Sequence, residues 1–102
     1  MSIENHLNSK SQINEAWEVV SIYEMHIEGL EQKLKVKVLK MLSADSPTYM
    51  GVTNLEVTCK DCATPYRSLN PSQTAEEAFK DAIDGFFAFF EEGSHVQEVE
   101  DW

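Results

Sequence analysis

Two neighbouring stretches of the chain alternate in step with each other, and this constrains the fold more than any other feature. From Trp17 the apolar residues recur at every second position. Trp17, Val19, Tyr23, Met25 and Ile27 fall on one face, and Glu18, Glu24, His26 and Glu28 on the other, with Val20 and Ile22 among them. A period of two reads as a half-buried strand. The next stretch repeats it, with Leu34, Val36, Val38 and Leu42 on one face and Lys33, Lys35 and Lys37 on the other. Gly29-Leu30-Glu31-Gln32 lies between them. Pairing across that turn sets Glu28 opposite Lys33, His26 opposite Lys35 and Glu24 opposite Lys37. Ile27 then meets Leu34, Met25 meets Val36 and Tyr23 meets Val38. Opposite charges pair on one side and apolar groups on the other, so the pattern predicts an antiparallel hairpin. The turn is not of the favoured Asn-Gly type, and a longer loop of the same parity is the alternative.

The remaining elements follow from local signals. Residues 1–16 are polar and allow a short helix around Ile3 and Leu7, and Ser43 to Thr48 reads as a loop. A third strand is expected from Tyr49 to Cys59, with Tyr49, Leu55, Val57 and Cys59 on one face. Gly51 shares that face and marks a bulge or a close backbone approach. Residues 60–73, with Pro65 and Pro71, form a long irregular connection. Thr74 and Glu77 then make a capping box, and Glu76 and Glu77 suit the positive end of a helix dipole. The helix is expected from Ala75 to about Glu92, stopping at Gly93. At 100° per residue, Ala75, Phe79, Ala82, Ile83, Phe86 and Phe90 share one stripe, with Glu77, Asp81, Asp84, Glu91 and Glu92 roughly opposite. That stripe can cover the apolar face of the sheet. The expected fold is α+β: a three-stranded antiparallel meander with a C-terminal helix packed on one face. A length of 102 residues holds one domain, read as residues 1–93, with an acidic tail over 94–102.

Composition narrows the function. Eighteen acids against eight bases give a net charge of −10. This argues against phosphate-directed binding of nucleic acid and against docking on anionic membranes. No apolar run approaches the roughly 20 residues that span a bilayer. The start, Met-Ser-Ile-Glu-Asn-His-Leu, lacks the basic and apolar regions of a secretory signal, so a cytoplasmic location is expected. Cys59-Lys60-Asp61-Cys62 is a lone C-x-x-C. A structural zinc needs four ligands, and His6, His26 and His95 do not stand at ligand spacing from it. A redox role needs the motif at the start of a helix. Cys59 and Cys62 are therefore weak metal candidates, and no cofactor is expected. No nucleophile–base constellation and no Gly-rich phosphate loop is present, so no enzymatic activity is expected.

The charge is polarised along the chain. Residues 1–32 carry a net −5, residues 33–74 a net +3 and residues 75–102 a net −8. Glu77, Asp81, Asp84, Glu91 and Glu92 would form a carboxylate row about 20 Å long on the helix, from its rise of ~1.5 Å per residue. Glu98, Glu100 and Asp101 extend the acidity into the tail. Two readings stand: a solvated helix face, or an acidic surface steered onto a basic site of a partner. The run Phe86-Phe87-Ala88-Phe89-Phe90 is too broad for one sheet face to cover. Phe87 or Phe89 must be buried by another part of the chain or by another molecule. Trp102, with Val96 and Val99, suggests an amphipathic clasp, and the open strand edges allow dimerisation.

In size, acidity and lack of catalytic motifs, the profile is similar to that of small acidic inhibitors: phage anti-CRISPR and DNA-mimic proteins, and toxin immunity proteins. The resemblance implies a non-enzymatic module that occupies a basic, nucleic-acid-binding surface of a protein partner. The candidate contact residues are Glu77, Asp81, Asp84, Glu91, Glu92, Glu98, Glu100, Asp101, Phe87, Phe89 and Trp102. A homo-oligomeric structural subunit and a zinc module on Cys59 and Cys62 are the alternatives.

Overall fold

The hairpin forms, but two residues out of the expected register. In the computed structural model, β1 (Trp17–Met25) pairs antiparallel with β2 (Leu34–Met41), setting Met25 opposite Leu34, Glu24 opposite Lys35 and Tyr23 opposite Val36. The parity expected from the alternation holds, so Leu34, Val36 and Val38 are buried and the lysines between them are not. The connection is the longer loop. It turns at Gly29, whose φ of +87° suits a residue without Cβ, and the Leu30 N–H donates to the Ile27 carbonyl at 3.0 Å. Ile27 and Leu30 thereby leave the ladder and pack against the end of the core. That burial explains why the strand stops at Met25. The structure describes residues 3, 6, 9, 10, 12, 15–42, 46–58, 70–91, 94–100 and 102. Most of the candidate N-terminal helix, with Leu7, lies outside the described residues, as do Cys59, Cys62, Glu92, Gly93 and Asp101.

β1 carries an irregularity that the alternation did not reveal. Between Val19 and Ser21 the register shifts, with Val19 opposite Leu39 and Ser21 opposite Val38. The extra residue moves Trp17 and Val19 to the face away from the helix, while Tyr23 and Met25 stay on the helix side.

The expected third strand is two strands. β3 (Tyr49–Thr53) pairs with β2, giving the sheet order β1-β2-β3, and β4 (Leu55–Thr58) pairs with β5 (His95–Glu98) in a second sheet. Asn54 stands at the change of partner. Its backbone N–H donates to the Lys35 carbonyl at 3.0 Å, and its carbonyl accepts from the Val99 N–H at 2.9 Å. Its side chain accepts from the Lys35 N–H at 2.7 Å and donates to the Lys33 carbonyl at 3.1 Å.

The helix α1 (Ala75–Phe89) lies across the inner face. Thr74 caps it, its hydroxyl oxygen accepting from the Glu77 N–H at 3.1 Å. Gly51 is the close approach: a Cβ there would fall on the Ala78 carbonyl oxygen and lie 2.9 Å from the Ala82 Cβ. The small face of the helix therefore meets the sheet. Ala78, Ala82 and Phe86 are buried, and Phe79 and Ile83 stand at the flank. The buried stripe is turned from the expected one, which lacked Ala78. The core divides into one cluster of Leu34, Leu55, Val57 and Phe86 and another of Val36, Val38, Ala78 and Ala82. The fold is α+β, as the pattern predicted.

Candidate partner-binding surface

The carboxylates of α1 stand on its solvent side because Ala78 and Ala82 face the sheet. Glu76, Glu77, Asp81 and Asp84 are all exposed. The row is shorter than expected, since the helix ends at Phe89. Phe90 is extended, and Ser94 folds back over the helix end. Its hydroxyl donates to the Phe89 carbonyl at 3.1 Å and accepts from the Glu91 N–H at 2.9 Å. Glu91 is exposed but lies beyond the helix, so the helical row from Glu77 to Asp84 spans about 10 Å.

The row is partly neutralised. Lys80 reaches Asp84 one turn on at 2.7 Å, and this hydrogen bond, followed by the attraction of the same carboxylate, raises the lysine pKa above its ordinary value of 10.5. Asp81 accepts from the Ser72 hydroxyl at 3.0 Å, tying the helix to the segment before it.

The C-terminal segment is integrated rather than trailing. Residues 95–98 pair with β4, setting Val96 opposite Val57 and Gln97 opposite Glu56. The pairing gathers a second acidic group: Glu56, Glu98 and Glu100 line one shallow, open depression with Gln97 and Val99. Glu56 accepts from the Gln97 amide at 2.9 Å. Sequence reasoning did not select Glu56. Its position opposite β5 depends on a pairing between residues some forty positions apart.

The aromatic candidates separate. Phe87 is 44% exposed, one turn beyond Asp84 on the solvent side, its ring edge-on to Phe86 at 5.7 Å. Phe89 is half-buried against the core cluster of Leu34, Leu55, Val57 and Phe86. Trp102 is not a free anchor. Its indole N–H donates to the Val52 carbonyl at 2.9 Å, and the Lys37 ammonium lies 4.8 Å from its ring centroid. The amphipathic clasp expected from Trp102, Val96 and Val99 thus has its contacts within the chain.

Among the described residues, no group of three or more His, Cys, Asp or Glu side chains is placed to hold a metal ion. Among the same residues, no helix is long and apolar enough to cross a membrane. Compared with known protein families, curated proteins and solved structures, the chain matches none.

Proposed function

We propose that this chain is a non-enzymatic protein-binding module of the cytoplasm that occupies a basic surface of a protein partner, one that otherwise holds nucleic acid. The observation that carries the reading is the ridge of α1. Glu77, Asp81 and Asp84 are exposed within about two turns, and the exposed ring of Phe87 follows Asp84 on the same side. Carboxylates with an adjoining aromatic combine long-range steering toward lysines and arginines with a short-range apolar anchor. Glu56, Glu98 and Glu100 offer a second group of carboxylates to the same kind of surface.

The test is capture of partners from host lysate on the immobilised chain, with washes at about 0.1 M and about 1 M salt, between which the Debye length falls from ~10 to ~3 Å. The expected result is a nucleic-acid-binding protein retained at low salt, lost at high salt and released by added duplex DNA. Glu77→Lys, Asp81→Lys and Asp84→Lys together should abolish its capture while leaving the circular dichroism unchanged, because all three side chains are exposed. Undiminished capture by the folded triple variant would refute the reading.

A further inference from the structure

Only the inner face of the three-stranded sheet carries α1. On the outer face the register lines up Trp17 with Met41, Val19 with Leu39 and Met50, and Ile22 with Lys37 and Val52. Val52 is buried there, and Trp102 bonds to its carbonyl. Across the rest of the face, Val19 is 50% and Ile22 54% exposed, and the neighbouring Val20 is 46% exposed. Trp17, Leu39, Met41 and Met50 are half-buried. The patch is continuous over all three strands, whereas on the α1 ridge the exposed large apolar side chain among the described residues is Phe87.

We infer that this face is the interface of a homodimer, in which two copies pack their outer sheet faces together. Charge selects a second copy as the occupant. The chain carries −10, yet the charges on this face of the sheet balance: Glu24 and Glu15, whose carboxylate accepts from the Trp17 indole N–H at 2.6 Å, against Lys35 and Lys37, with Lys35 3.5 Å from Glu24. It is a face on which an equally acidic molecule meets little repulsion. Packed this way, the two α1 helices lie on the outside, roughly 30 Å apart from a helix width and sheet spacing of ~10 Å each, about three Debye lengths at 0.1 M salt.

Edge pairing through β1 is the less suitable geometry, because the irregularity at Val19/Ser21 interrupts the strand. The size of the face sets the strength. Three strands at ~4.8 Å and eight residues at ~3.3 Å give a footprint of roughly 380 Å², below the ~800 Å² per partner of a standard stable interface. The dimer is therefore weak and concentration-dependent.

Sedimentation equilibrium of the full chain from about 1 to about 500 µM tests this, since those concentrations bracket a micromolar Kd. The average mass should rise from 11.6 kDa toward twice that value. It should rise further at about 1 M than at about 0.1 M salt, because salt screens the repulsion between the two acidic copies. That is the opposite of the salt response expected for the acidic ridge, so failure of one reading leaves the other intact. Ile22→Glu should weaken association at least tenfold with unchanged circular dichroism, and Phe87→Ser should leave it intact. If Ile22→Glu does not fold, Val19→Lys is read in the same way. A single 11.6 kDa species throughout would overturn the inference. So would an association that Phe87→Ser removes or that the folded outer-face variant leaves unchanged.

Discussion

Asn54 takes the place of a peptide unit in the ladder. Its side-chain amide bonds to the Lys35 N–H and the Lys33 carbonyl at the point where its own strand turns from β2 toward β5. Removing it leaves a partly buried N–H of β2 without that acceptor. A net hydrogen bond is worth about 1 kcal/mol, and an orphaned buried donor costs about 1–3. Asn54→Ala should therefore destabilise the fold by about 2–4 kcal/mol, a fall in Tm of roughly 10–20 °C for a domain of this size. Thermal unfolding followed by circular dichroism measures this. A loss below about 0.5 kcal/mol, the range of ordinary surface substitutions, would show that water replaces the amide without cost.

Among the elements, β3 is closed on the edge away from β2, while β1 bears the exposed valines. Tyr49 and Ser72 exchange two backbone hydrogen bonds at 2.8 Å, Trp102 covers the Val52 carbonyl, and Val99 bonds to Asn54. The contacts of Val99 and Trp102, with the pairing of β5 on β4, hold the C-terminal segment as a clasp along β3 and β4. Trp102→Ala removes the hydrogen bond to Val52 and the cation–π contact with Lys37, and exposes Val52. We expect a loss of about 1–3 kcal/mol, from ~1 for the hydrogen bond, ~0.5–1 for the cation–π contact and the remainder from Val52. Because the clasp is short, the loss should appear first as faster amide exchange over His95–Glu98, with Leu34–Val38 protected as before. Uniformly faster exchange in both strands would mean that the clasp and the main sheet open together.

For the whole molecule, charge and fold oppose each other. A net −10 on 102 residues repels itself, and ion pairs such as Lys35–Glu24 and Lys80–Asp84 stand against that repulsion. Both are exposed, and water and salt screen such surface pairs, so each offsets little of it. The repulsion therefore dominates the electrostatics of folding. Raising salt from about 0.01 M to about 0.3 M, which shortens the Debye length from ~30 Å to well below 10 Å, should raise Tm by a few degrees. Calorimetry at low protein concentration isolates this effect from association. A Tm that falls with salt would mean that surface attractions outweigh the net charge.

The strand parity at Tyr23 and Met25 and along Leu34–Val38, a bulge or close approach at Gly51, the helix start at Thr74 and the α+β layering were legible in the sequence, whereas the shift that turns Trp17 and Val19 to the outer face was not. Each depends on local periodicity or on a residue type with one dominant steric or hydrogen-bonding use. The acidity of the last third was equally plain. Tertiary structure decided what depended on distant partners. The loop burial of Ile27 and Leu30 displaced the hairpin register by two. Ser94 ended the helix at Phe89, shortening the carboxylate row and taking Glu91 off it. Residues 95–98, part of the segment expected as an acidic tail, found unpaired backbone on β4 and became a strand, bringing Glu98 and Glu100 to Glu56. Trp102, legible only as an aromatic near the end of an acidic run, lies on the sheet because the Val52 carbonyl faces it. Side-chain pattern is written along the chain, but the demand of each backbone group for a partner is met only when the elements assemble.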